Sequence, residues 1–145
     1  MEKSLNFSSQ ICTTREQSQR LLDSGLKPET ADMSIITTPI DYDGIKYSLT
    51  PYSKVNNPKV FGAIPAWSLH RLIEMMPTVI MQDDYSLILG VNATCVYYAT
   101  GEYAEYADPY AETFKALECD LYDCVAKCIE WLIEGGHFNK EYLST

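Results

Sequence analysis

The chain has 145 residues, 46% hydrophobic and 21% charged, the balance of one globular domain spanning residues 1–145 whose core needs neither disulfides nor metal to form. A net charge of −9 argues against a surface that neutralises phosphates, so no direct nucleic-acid binding is expected. "MEKSLNFSSQICTT" lacks a signal-peptide core and no run approaches the roughly 18 apolar residues of a membrane span, which points to the cytoplasm, away from membranes, with the five cysteines as free thiols.

In chain order, Thr13 and Glu16 offer a T-x-x-E capping box and Gly25 a C-terminal left-handed residue, so "TREQSQRLLDS" reads as a short helix whose apolar seam is Leu21 and Leu22. Pro28 starts at most one further turn. "SIITTPIDYDGIKYSLTPYS" reads as a hairpin turning at Tyr42-Asp43-Gly44, its first strand demoted by Pro39 to an edge or an irregular start. "SKVNNPKVFGAIP" reads as loop. A second helix follows in "PAWSLHRLIEMMP", with Ser68 as N-cap, Trp67 stapling onto Leu72, and Leu69, Leu72, Ile73 and Met76 as the buried face.

"TVIMQ", "YSLILGV" and "TCVYYAT" are short β-rich runs separated by Asp83-Asp84 and Asn92, the pattern of consecutive antiparallel strands. "GEYAEYADPY" is a turn region, and "AETFKALE" reads as another strand, because Asp120 and Asp123 form a D-x-x-D cap that starts the last helix at Asp120. That helix runs to Glu134 and stops at Gly135-Gly136. The expected fold is therefore α+β: an antiparallel sheet, about three helices, and the C-terminal helix packed on the sheet.

The stretch "LECDLYDCVAKCIEWL" places Cys119, Cys124 and Cys128 within ten positions. With Asp120 as N-cap, Cys119 and Cys124 become the two ends of a hydrophobic staple. At 100° per residue Leu121, Cys124, Val125, Cys128 and Leu132 fall on one stripe, with Lys127, Glu130 and Glu134 opposite. Cysteine in such a stripe is a small hydrophobe. Zinc would need four ligands, yet no C-x-x-C pair occurs and His70 and His137 have no partner at ligand spacing. A reactive Cys119 thiolate beside the helix start is opposed by Asp120 and Asp123.

Other fragments carry less chemistry. Asp41-Tyr42-Asp43-Gly44 lacks the spacing and closing glutamate of a calcium loop. Ser68 and His70, two apart on a helix, do not face each other. No G-x-S-x-G, Walker or G-x-G-x-x-G motif occurs, so no cofactor is implied and catalysis is not expected.

Charge is uneven. Residues 101–134 hold nine acids against Lys115 and Lys127, a net −7, whereas residues 1–60 balance to zero. Within this region Glu102, Tyr103, Glu105, Tyr106 and Asp108 form an acidic-aromatic loop of recognition type, set against a reading in which its tyrosines fold back over the sheet edge.

"EQSQRLLDSGLKPETADM", "IPAWSLHRLIEMMP", "YSLIL", "VYY" and "LYDCVAKCIEWLIEGGHFNKEYL" resemble small uncharacterised proteins of phages and mobile elements from gut-dwelling anaerobic bacteria. The resemblance covers most of the chain and is weakest over residues 34–60. It implies a mobile-element origin in a bacterial cytoplasm and transfers no catalytic residue, cofactor or site. The leading expectation is a non-catalytic protein-binding or accessory module acting on an unidentified protein partner. An acidic regulator or inhibitor that imitates nucleic acid, and an enzyme without a sequence motif, are the competing readings. Sheet edges leave a homodimer open.

Overall fold

A computed structural model describes residues 10–36, 46–48, 50–55, 62–82, 85–92, 95–99, 112–115 and 120–144. The fold is α+β. Helices α1 (Arg15–Asp23), α2 (Leu69–Met75) and α3 (Leu121–Glu134) accompany strands β1 (Met33–Ile36), β2 (Lys46–Ser48), β3 (Ile64–Ala66), β4 (Val79–Gln82), β5 (Tyr85–Asn92), β6 (Cys95–Ala99) and β7 (Glu112–Lys115). Among the described residues all strand pairs are antiparallel, and they divide into two sheets where one was expected: β2-β1-β3 and β4-β5-β6-β7.

The helix ends follow local chemistry. Asp120 caps α3 by accepting from Asp123 N–H at 2.9 Å, and Ser68 caps α2 by accepting from Arg71 N–H at 3.2 Å. Gly25 and Gly136 take positive φ values of 110° and 73°. Each closes a helix with the paired carbonyl bonds of a Schellman motif: Gly25 N–H to Leu22 and Leu26 N–H to Leu21, then Gly136 N–H to Ile133 and His137 N–H to Leu132.

Three readings are corrected. The α1 capping box is Thr14 with Gln17, one residue beyond the Thr13–Glu16 pair, because the Thr13 hydroxyl is buried against Ser18 and accepts from Trp67 N–H. β1 (Met33–Ile36) pairs on both sides and is the central strand of its sheet, not an edge, and Pro39 lies outside the described residues. Ile64–Ala66 is a strand and not loop. Its Pro65 is tolerated because β3 is an edge.

α3 lies across β6 and β7 and beside α1. Cys124, Val125, Ala126, Cys128, Ile129 and Leu132 of α3 are buried, and they meet Leu21, Trp67, Leu72, Met75, Ile80, Leu87, Val96 and Tyr98 in one core. Met75 joins the buried face of α2 in place of Ile73, which is half-buried. Glu130 is not a free solvent-side acid: Arg20 of α1 pairs with it through two nitrogens, Nη2 at 2.8 Å from Oε2. The C-terminal residues are pinned to the end of α1 by Lys27 N–H to Tyr142 C=O at 2.8 Å and Ser144 N–H to Gly25 C=O at 2.7 Å.

Candidate functional site

The residues proposed from sequence for recognition, Glu102, Tyr103, Glu105, Tyr106 and Asp108, lie outside the described residues, as do Cys119 and the Asp41–Gly44 turn. Three regions remain to be weighed as a site.

The first is a polar cluster where α1, α3 and β3 meet. Gln17 Nε2 donates to Asp120 Oδ1 at 3.1 Å and to Asp123 Oδ1 at 2.8 Å, while its Oε1 accepts from Thr14 N–H at 3.0 Å and from Gln10 Nε2 at 2.7 Å. Asp32 accepts from Ser68 N–H at 2.8 Å and from the Ser68 hydroxyl. Among the described residues the thiol at this cluster, Cys12, is buried and pushed up to about 11 by desolvation, with Asp32 adding to the rise. A protonated, enclosed thiol is no nucleophile. Ser68 serves Asp32 and the helix cap, and His70 points to solvent beside Glu74 at 3.8 Å, so the two form no catalytic pair.

The second is an open groove between Asp32, Pro51, His70, Arg71 and Glu74. Its one guanidinium is already engaged: Arg71 Nε donates to Thr30 C=O at 2.8 Å, a terminal nitrogen meets Glu74 at 2.5 Å, and the group stands 5.7 Å from the Tyr142 ring centre. The Glu74 carboxylate thus offsets the guanidinium charge in the groove. Among the described residues no group of three His, Cys, Asp or Glu side chains is arranged to hold a metal ion.

The third is the outer face of the four-stranded sheet. Register places Val79 opposite Ile88, Ile88 opposite Ala99, Met81 opposite Ser86, and Gly90 opposite Tyr97. The alternate residues Ile80, Leu87, Val96 and Tyr98 face α3 and are buried. On the outer side Val79, Met81 and Ile88 are 51%, 59% and 43% exposed, so no described element covers them. Tyr97 lies over Gly90: a Cβ on Gly90 would come within 2.3 Å of the tyrosine ring. The glycine thus lets an aromatic ring lie flat on the sheet, extending the apolar strip from Val79 and Ile88 toward β6. Single exposed apolar residues are ordinary; here three share one face of the sheet.

This face was legible only in part. "VIM" in β4 and "LIL" in β5 are apolar in both phases of the strand period, the pattern of a strand covered on both faces, but nothing local says that the second cover is missing. Comparison with family models, curated proteins and solved structures finds no match to this chain.

Proposed function

We propose that this chain is a small non-catalytic protein-binding module of the bacterial cytoplasm, encoded on a phage or mobile element, that receives a protein partner on the outer face of β4–β7. The observation that carries the reading is the uncovered strip of Val79, Met81 and Ile88, continued by Tyr97 over Gly90. Origin and location rest on the likeness in wording to mobile-element proteins.

Charge gives the partner its chemistry. The chain carries −9, and residues 100–111, which join Ala99 of β6 to Glu112 of β7, hold Glu102, Glu105 and Asp108 with no basic residue. Ala99, the last residue of β6, stands in the row shared by Val79 and Ile88. A partner offering an apolar patch rimmed by Lys or Arg matches both features, the apolar contact giving affinity and the charge giving rate and orientation.

Affinity capture with the wild-type chain and with Ile88→Arg/Tyr97→Ser tests the reading. The wild type should retain a basic protein and the face variant should lose it while still unfolding cooperatively, its stability lowered by about 1–2 kcal/mol because Ile88 is exposed and Tyr97 only half-buried. A second variant, Glu102→Gln/Glu105→Gln/Asp108→Asn, should slow association and weaken its salt dependence. Equal capture by the wild type and the face variant removes the outer face from the function.

A further inference from the structure

β4 is one edge of its sheet, and hydrogen-bond alternation determines which of its backbone groups point outward. Leu89 N–H donates to Thr78 C=O at 2.9 Å, in the register that sets Val79 against Ile88. Alternation along an antiparallel pair then makes Ile80–Leu87 and Gln82–Tyr85 the next hydrogen-bonded pairs, and turns the N–H and C=O of Val79 and Met81 away from β5. Among the described residues no strand lies on that side. Exposed edges are ordinarily blunted by lysine, proline or a bulge, and Val79–Gln82 contains neither lysine nor proline while exposing two apolar side chains.

We propose that β4 pairs antiparallel with β4 of a second copy of this chain, with Val79 opposite Met81 of the partner subunit and Ile80 on the two-fold axis. The outward groups are self-complementary in this register. Two residues per copy, each with one N–H and one C=O, close a ladder of four hydrogen bonds and leave none of those groups over. The side chains agree with the backbone, because Val79 and Met81 both stand on the outer face and meet their apolar counterparts across the axis. Two strips on two sheets become one strip on an eight-stranded sheet.

The net charge of −9 on each copy opposes association, and the contact is small beside the roughly 800 Å² per partner of a standard interface, so the dimer is weak and strengthens with salt. The inference stands on β4 alone and goes beyond the protein-binding reading; neither fails with the other.

Sedimentation equilibrium of the full chain tests it. The wild type should move from 16.4 kDa toward twice that mass as protein rises to about 1 mM, at lower concentration in about 0.5 M salt than in about 0.05 M. Met81→Pro removes an outward N–H without touching the β4–β5 ladder and should raise the dissociation constant about tenfold or more. Met81→Lys, which leaves the backbone intact, should do the same if the proline variant folds poorly, with melting temperature as the control. A monomer at every concentration and salt overturns the proposal. So does a dimer that both variants leave unchanged, which would put the contact elsewhere. Ile88→Arg/Tyr97→Ser, off the edge, should keep the dimer even where it loses the protein partner.

Discussion

Gln17 Nε2 donates to Asp123 Oδ1 at 2.8 Å, joining the first turn of α1 to the first turn of α3 across 106 residues of sequence. The same amide also donates to the Asp120 cap, and its oxygen closes the Thr14 capping box. One side chain therefore serves both helix starts; it is itself buried, whereas Asp120 is exposed and Asp123 half-buried. Gln17→Ala should cost about 1–2 kcal/mol in denaturant unfolding, since it removes the capping box of α1 and its tie to α3 while the carboxylates of Asp120 and Asp123 turn to water. Gln17→Glu keeps the acceptor but sets a third carboxylate against two others, which raises its folded pKa above the unfolded value near 4.3. The folded variant then holds more protons than the unfolded one, so its deficit against the wild type grows from about pH 4 to pH 7. An unchanged deficit across that range would show that the amide does not face both carboxylates.

Alkaline stability should follow the buried acids of the core. Cys12 is pushed up to about 11 from 9.0, and Tyr98 and Tyr122 are also raised, each chiefly by burial. A group raised on folding keeps its proton in the native state after the unfolded chain has lost it, so its stabilisation is complete below the unfolded value and lost as pH climbs to the folded one. For Cys12 that window is pH 9 to about 11. Chemical denaturation at stepped pH should show stability declining through it, and Cys12→Ala should flatten the decline. Thiol labelling below pH 9 should reach the half-exposed Cys95 first and Cys12 only through unfolding.

What the sequence revealed divides along local and non-local lines. Asp120, Ser68 and Gly135-Gly136 mark helix ends because a cap acts within one turn, and all three stand where spacing put them. The cap of α1 was misplaced by one residue because Thr13 and Thr14 both offer a hydroxyl. The choice is made by Trp67, 54 residues away, which takes the Thr13 oxygen. The division into two sheets and the central place of β1 depend on pairings between distant segments, and Pro65 disguised β3. Glu130 matched the solvent side of an isolated helix, but α1 brings Arg20 to it. The outer face of β4–β7 belongs to the same class: strand periodicity reports which side chains share a face, not whether another layer covers it.

The cysteines of α3 should behave as packing. Cys124 and Cys128 are buried in the stripe that meets β6. Cys124→Ala and Cys128→Ala should each cost about 1 kcal/mol through lost contact volume. Leu132→Ala, on the same stripe, should cost about 2–5 kcal/mol. A strong chelator should leave the melting temperature of the wild type where it was. A fall on chelation, recovered with zinc, would make these sulfurs ligands and reverse the reading.

Tyr97 and Gly90 give the outer face its most specific test. The ring occupies the space a Cβ would need, and the atoms in conflict lie at the far end of the tyrosine side chain. Gly90→Ala should therefore be met by rotation of Tyr97 off the sheet, not by a break in the β5–β6 ladder, with a stability change of about 1 kcal/mol or less. In proton NMR the Gly90 Hα signals should lie upfield under the ring and return to ordinary positions in Tyr97→Ser. If the apolar strip with its flat ring is the contact surface, Gly90→Ala should weaken partner capture without lowering the melting temperature in proportion. Ordinary Gly90 shifts in the wild type would mean that the ring stands away from the sheet and that the strip ends at Ile88.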